Sequence, residues 1–366
     1  MAETVIKALV VDDSALYRKF VRSVLEEIPG VEVLDTASNG RIGLEKIEAL
    51  RPDLVTLDLE MPELDGLGML RNLSVRDIDV TTIMISALTA EGAKATNTAL
   101  QLGAFDFVLK PTGKGPEESR EQLKHDLAPK ILACTSVLRR KLGLALAARP
   151  SASRPPTDAV SRMVRRVSEI RYKPEVVGIG VSTGGPVALN RLLPKFPANF
   201  PCPILLVQHM PPLFTKSLAD DLNRICPMEV KEASEGMTAE PGQVLIAPGG
   251  AQMRVTKLGG RPVVQITNDP PERNCKPAVD YLFRSIAHHY GDRAVAAILT
   301  GMGDDGTLGC KLLKRAGATI LAQDEQSCVV YGMPRSVVEA GLADHVGPLD
   351  DLAEYLKNFV SRGAVA

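Results

Sequence analysis

Hydrophobic positions in residues 5–110 fall into short β-branched runs, separated by longer stretches with apolar residues three and four apart. The runs Val5–Val11, Val31–Thr36, Leu54–Leu57, Thr82–Ile85 and Phe105–Leu109 have the length and composition of strands. Helical patterns fill the gaps, as with Leu16, Phe20 and Val24 at i, i+4 and i+8. Five such β/α repeats predict an open parallel sheet with helices on both faces. A further helical stretch runs from Glu117 to about Leu142.

The alternation then breaks. Residues 143–174 include Ala-Ala-Arg-Pro-Ser-Ala-Ser-Arg-Pro-Pro and offer no core face, which predicts a linker. From Glu175 a second α/β pattern begins, with strands predicted at Val176–Val181, Ile204–Gln208, Met228–Lys231, Val244–Ala247, Met253–Thr256, Val263–Thr267, Ala294–Leu299 and Thr319–Ala322. Helical segments separate several of them, notably Pro186–Leu193, Thr215–Arg224, Val279–Tyr290 and Gly306–Ala316. The middle strands lack helices between them, which predicts an antiparallel patch in a mainly parallel sheet. The predicted division is therefore 1–142, 143–174 and 175–366.

Composition changes this picture little. A chain of 366 residues can bury two separate cores. A formal net charge of −1 gives no overall basicity toward nucleic acid or an anionic membrane. Residues 139–173 do carry ten Arg/Lys against Asp158 and Glu169, but without interleaved aromatics they read as a solvated linker. Apolar runs are strand-sized, so no membrane insertion is expected, and Met1-Ala2-Glu3-Thr4 lacks the basic start of a secretory signal. Six cysteines without a CxxC pair read as idle thiols rather than metal ligands or a disulfide framework. These features together predict a cytoplasmic protein.

In open α/β sheets the functional crevice lies beyond the carboxyl ends of the strands. Asp12 and Asp13 follow the first predicted strand and Asp58 follows the third. Carboxylates gathered there repel one another unless a cation joins them, and oxygen-only ligands suit Mg²⁺, which also screens an incoming phosphoryl group. Ser86 ends the fourth strand and can hydrogen-bond a phosphoryl oxygen. Lys110 ends the fifth and supplies a point charge, with Pro111 placed for a cis turn. Taken singly, an acid after a strand is an ordinary helix cap. Asp-Asp, Asp, Ser and Lys-Pro at successive strand ends form a pattern that capping does not produce.

In the second half, strand Val176–Val181 runs straight into Ser182-Thr183-Gly184-Gly185-Pro186 and a helix. Gly180 to Gly184 reads GxSxG, the strand–turn–helix elbow that presents a nucleophilic serine, with helix-start N–H groups available to an oxyanion. Gly178-x-Gly180 also begins a dinucleotide-binding GxGxxG, but Thr183 fills the sixth position and no acid follows to hold a ribose. A phosphate-binding turn without catalysis would use the same residues. Of the five histidines, His209 alone directly follows a buried-looking strand; His125, His288, His289 and His345 do not. Strand Ala294–Leu299 delivers Thr300-Gly301-Met302-Gly303-Asp304-Asp305-Gly306, where Asp304 and Asp305 are both candidates for an orienting acid and spacing does not choose. The order Ser, His, Asp differs from that of α/β-hydrolases, but a triad is defined by geometry and role.

Residues 5–125 resemble the response-regulator receiver family, whose fold is a flavodoxin-like five-stranded parallel sheet. The resemblance implies Asp58 as phosphoacceptor, with Asp12, Asp13, Asp58 and the Glu60 carbonyl as Mg²⁺ ligands. It implies that Ser86, Lys110 and Phe107 contact or rearrange around the phosphoryl group, and that a histidine kinase donates it. Residues 175–350 resemble the chemotaxis methylesterases through Gly180–Pro186, Gln208-His209-Met210-Pro211, Leu299–Gly306 and Val330-Tyr331-Gly332-Met333-Pro334. That resemblance implies an α/β methylesterase domain with Ser182 as nucleophile, His209 as base and Asp305 as acid. It further implies an oxyanion hole near Thr183 and Met302, no cofactor for ester hydrolysis, and chemoreceptor cytoplasmic helices as substrate. Regulation by a receiver that covers the esterase until it is phosphorylated is also implied. The stretch Asn274-Cys275-Lys276-Pro277 departs from the Arg-Pro pair expected there. Two rivals are a phosphorylation-switched binding protein without catalysis, which would be favoured by a missing triad residue, and a DNA-binding regulator. The latter requires a helix-turn-helix or similar module that the pattern after Glu175 does not provide.

Overall fold

The computed structural model describes residues 5–112, 115–141 and 173–362. Two compact units divide in sequence between Leu138 and Arg139. The stretch expected to be a linker, 143–174, lies outside the described residues apart from Lys173 and Pro174.

In the first unit β1 (Ile6–Val11), β2 (Val31–Ala37), β3 (Leu54–Asp58), β4 (Thr81–Ser86) and β5 (Asp106–Leu109) form one sheet in the order 2-1-3-4-5. Every pairing is parallel. β3 and β4 are buried along their full length, which is why they read as unbroken runs rather than alternating ones. Four helices start on a side chain that accepts from the N–H three residues on: Ser14, Asn39, Asp65 and Thr89. Each such cap contributes about 1 kcal/mol. The winding direction reverses beside β1 and β3, so their carboxyl ends flank the crevice of the sheet. The last helix of the unit, Pro116–Lys141, buries Leu123, Leu127, Ile131 and Cys134.

The second unit holds β6 (Val176–Val181), β7 (Ile204–Gln208), β8 (Glu229–Glu232), β9 (Gln243–Ile246), β10 (Gln252–Leu258), β11 (Arg261–Thr267), β12 (Ala294–Ile298), β13 (Thr319–Gln323) and β14 (His345–Gly347). Seven of them form a parallel sheet in the order 14-13-12-6-7-9-8, while β10 and β11 make a separate antiparallel hairpin. The expected antiparallel patch is therefore confined to that hairpin. β8 and β9 pair in parallel, Glu229 with Gln243 through Glu232 with Ile246. Their crossover, residues 233–242, runs without a helix and ties to β11 through the Thr238–Val263 bridge. A missing helix in the pattern thus did not mean a missing crossover.

Two glycines on β6 shape the core. A Cβ on Gly178 would lie 2.9 Å from the Phe283 ring, and one on Gly180 would lie 2.5 Å from Val279 Cγ1. Their absence of side chains lets the helix Val279–Tyr290 seat directly on the sheet, with Phe283 and Ile286 fully buried. Burying one such side chain contributes roughly 1.5–3 kcal/mol. The Gly178-x-Gly180 pattern is accounted for by this packing. Among the described residues one peptide bond is cis, Lys276–Pro277, so the turn expected at Pro111 is trans. No helix among them is long and apolar enough to cross a membrane. All six cysteines are free thiols.

Candidate active site and acidic pocket

From β6 the second sheet grows outward on both sides, through β7 and through β12, so the carboxyl ends of these three strands mark its switch point. Ser182 follows β6, His209 follows β7, and Thr300 and Gly301 come shortly after β12. Backbone bonds hold these ends side by side: His209 N–H donates to Val181 O (3.1 Å) and Ser182 N–H to Thr300 O (3.0 Å). Gln208 Nε2 donates to the Ser182 carbonyl at 2.9 Å and to the His209 carbonyl at 3.3 Å, clamping both turns. At Gly184 the elbow adopts a φ of 78°, where a side chain would be strained and would collide with Val329. A Cβ on Gly301 would meet Ser182 Cβ at 2.8 Å, so glycine is what allows the β12 loop to lie against the serine. The Val330–Pro334 motif supports that loop, with Gly332 and Met333 N–H groups both donating to the Gly301 carbonyl.

Asp305 and His209 form a pair, Oδ2 to Nε2 at 2.8 Å. The carboxylate is 2% exposed and further accepts the N–H groups of Val279 (2.7 Å) and Asp280 (2.9 Å). These amides open the helix Val279–Tyr290, whose N-terminus favours negative charge. Burial works against the ionised carboxyl, yet His209 and the two amides outweigh it and hold Asp305 below its ordinary range. Asp304, which spacing could not separate from Asp305, is exposed and pairs with Arg273. Arg273 also donates to buried Asp280 at 3.1 Å.

With Nε2–H committed to Asp305, the lone pair of His209 is at Nδ1, which faces Cys275 Sγ at 3.7 Å. Burial disfavours the imidazolium, but Asp305 and then Cys275 overcome it and push the ring up to about 9. A base must first lose that proton, so kcat/KM for ester hydrolysis is expected to rise with pH through neutrality and level off near 9. Initial rates across that range check it; levelling at the unperturbed histidine value of about 6.5 would contradict it. Ser182 Oγ makes no hydrogen bond among the described residues. Thr183, next in the elbow, is buried, and its carbonyl accepts from Thr300 Oγ1 at 2.9 Å. Met302 lies in the β12 loop between Gly301 and Gly303, and its N–H enters no backbone bond among the described residues. Sequence reasoning assigned no role to Gln208 or Gln323, whose Oε1 accepts the Thr300 N–H at 2.8 Å. The available signal was an amide side chain ending a buried strand.

In the first unit, ligand oxygens of Asp12, Asp13 and Asp58 lie within 4.8 Å of one another. Asp58 Oδ1 accepts the Leu59 N–H and Oδ2 accepts Lys110 Nζ, each at 2.8 Å. Asp12 Oδ1 accepts the Ser14 N–H at 2.8 Å, whereas Oδ2 is buried without a hydrogen-bond partner, its nearest cation being Lys110 at 3.9 Å. Burial, then the Asp58 charge, push the Asp12 carboxyl up to about 6. An orphaned oxygen in an all-carboxylate set is what a hard divalent ion would satisfy, so these residues fit Mg²⁺. Glu60 follows two residues after Asp58 with its side chain exposed. Ser86 Oγ accepts from Thr96 Oγ1 at 2.8 Å and is thus turned toward the helix Ala90–Gln101. Phe107 is buried on β5.

Comparison with known proteins matches both units. The CheB methylesterase family model covers residues 177–356 and the response regulator receiver domain model residues 8–121. A protein-glutamate methylesterase/protein-glutamine glutaminase of Desulfotalea psychrophila is 47% identical, covering 97% of this chain and 98% of its own. One of the same name from Aliivibrio fischeri is 41% identical, covering 95% and 97%. The crystal structure of the Thermotoga maritima CheB methylesterase catalytic domain is 44% identical, with a TM-score of 0.50, over 51% of this chain and 99% of that one.

Proposed function

The chain belongs to the family of receiver-containing protein-glutamate methylesterases, and on that premise we propose that it hydrolyses glutamyl γ-methyl esters on the cytoplasmic helices of chemoreceptors, at a rate set by receiver phosphorylation. The observation that carries this reading is the His209–Asp305 pair on the strand ends flanking the GxSxG elbow. Ser182 Oγ, turned toward Nδ1 of His209 by the bound substrate, gives up its proton and attacks the ester carbonyl carbon. The Met302 and Thr183 N–H groups receive the oxyanion. As the intermediate collapses, methanol leaves with the proton from His209. Water then gives a proton to His209, attacks the glutamyl-enzyme, and returns Ser182 and a free glutamate. A glutamine side chain passes through the same acyl-enzyme with ammonia leaving, which accords with the relatives' double name. A purely binding role is not favoured, because every triad position is filled.

The test is incubation with receptor carrying labelled methyl esters, reading released methanol, and with receptor glutamines, reading ammonia. Release of neither, with or without phosphodonor, would sink the reading. The cytoplasm, where those receptor helices lie, is the compartment this reading requires.

On the same premise Asp58 takes the phosphoryl group, and Asp12, Asp13 and the Glu60 carbonyl hold Mg²⁺ beside it. When bound, Mg²⁺ screens the charge between the phosphodonor and the carboxylate. Lys110 meets the new charge, while Ser86 leaves Thr96 to bond a phosphoryl oxygen and Phe107 moves with it. Mg²⁺ with acetyl phosphate is expected to raise the esterase rate about tenfold or more, which needs only ~1.4 kcal/mol of differential stabilisation. Asp58→Ala should not respond, and a fragment beginning near residue 171 should be active without phosphodonor. If the phosphodonor changes nothing and the fragment matches the unphosphorylated chain, the receiver acts only as a tether.

A further inference from the structure

We propose that His209 and Cys275 form a binding site for a soft divalent cation, Zn²⁺ in the first place, and that occupancy reversibly blocks the esterase. The inference takes His209 as the catalytic base and adds a ligand for the same nitrogen. No CxxC or HxxxH spacing announces the pair, which comes from segments 66 residues apart.

Three features make this a built site. Sγ and Nδ1 stand 3.7 Å apart. Zn–S near 2.3 Å and Zn–N near 2.0–2.1 Å, at a tetrahedral angle, place sulfur and nitrogen about 3.6 Å from each other. A zinc ion therefore fits between them with almost no movement. Behind the imidazole, Nε2–H donates to Asp305, the carboxylate–histidine arrangement that fixes a metal-binding ring and strengthens its free nitrogen. Asp305 already accepts two backbone amides besides His209, so it serves as this outer partner rather than as a ligand.

The third feature is the turn that carries the thiol. Glu272 and Cys275 exchange backbone hydrogen bonds of 2.7 and 3.1 Å around Arg273 (φ 50°) and Asn274 (φ 61°). Two successive left-handed non-glycine residues are costly on their own. Here Arg273 is anchored to both Asp280 and Asp304, which keeps the turn in place and Cys275 against His209.

Thiolate and imidazole together select zinc-like ions over the oxygen-seeking Mg²⁺ that the receiver uses. Binding releases the Cys275 thiol proton and any proton on Nδ1 to solvent. The ion then holds the lone pair that must accept the Ser182 proton, so turnover stops until it is removed. Two protein ligands leave the remaining positions to water, which makes the site reversible rather than structural.

The experiment uses the full chain, wild type and Cys275→Ser, with Cys275→Ala as a second variant and circular dichroism as the check on folding. Zn²⁺ is expected to inhibit wild-type ester hydrolysis, a chelator to restore it, and Mg²⁺ to leave the inhibition unchanged. Half-inhibition of either variant, measured relative to its own metal-free rate, should need at least about tenfold more Zn²⁺. Co²⁺ should give a thiolate-to-metal charge-transfer absorption in wild type and in Ser182→Ala, and none in the Cys275 variants. The Co²⁺ readout needs no turnover, so it remains decisive even if the esterase reading fails. Equal Zn²⁺ sensitivity of wild type and variants, or the same Co²⁺ spectrum in all, overturns the proposal.

Discussion

Replacing Ser182 with alanine is expected to lower ester hydrolysis by roughly four to six orders of magnitude while leaving the second unit folded. The loss is large because the acyl-enzyme cannot form, and the His209–Asp305 pair is then left with no hydroxyl to activate. The fold survives for a reason visible in the hydrogen bonding. Ser182 Oγ has no partner among the described residues, so its removal strands no buried donor or acceptor. The backbone contacts of residue 182, to Thr300 O and from Gln208 Nε2, do not involve the side chain. A stability change within about 0.5 kcal/mol is therefore expected from denaturant unfolding. A folded Ser182→Ala protein that keeps most of its esterase rate would remove the nucleophile assignment.

Asp305→Asn should be the second most damaging change, on the order of 10⁴ in turnover, against roughly a few-fold at most for Asp304→Asn. Both oxygens of Asp305 receive N–H groups, from His209, Val279 and Asp280. An asparagine must turn its own NH₂ toward one of these donors, which leaves a buried clash of donors worth about 1–3 kcal/mol as well as a histidine without its counter-charge. Asp304 meets only the Arg273 head at the surface, and an exposed ion pair contributes about 0–1 kcal/mol. Rates and unfolding midpoints of the two variants, side by side, test the assignment. Equal damage at both positions would mean that the wrong aspartate had been chosen.

Most of each site was legible because each parallel sheet sends its strands' carboxyl ends to one edge of its own unit. Asp12, Asp58, Lys110, Ser182 and His209 could each be placed from the residue following an apolar run. The choice between Asp304 and Asp305 could not be read from spacing, since a glycine-rich turn has no fixed phase; the family resemblance implied Asp305, and the structure separates the two by burial and by the His209 hydrogen bond. β14 is three residues long and presents no clear run, whereas β8 falls where the run Met228–Lys231 placed it. The parallel course of β8 and β9 was hidden because sequence pattern marks helices more clearly than bare crossovers. Cys275 went unremarked as a neighbour of His209 because the left-handed turn that delivers it contains no glycine, the usual signal for such a turn.

The outward winding from β6 also bears on how the protein is made. Ser182 lies early in its unit, Asp305 lies 96 residues beyond His209, and β6 pairs directly with β12 through contacts such as Val176 with Ala294. A chain emerging from the ribosome completes its receiver first, and then its elbow, long before the acid and the neighbouring strand have been synthesised. Pairings between such distant segments are intrinsically slow to form. Until residues 294–305 have been made, His209 lacks its carboxylate partner and β6 lacks its β12 neighbour, so the geometry around the elbow is completed late in synthesis.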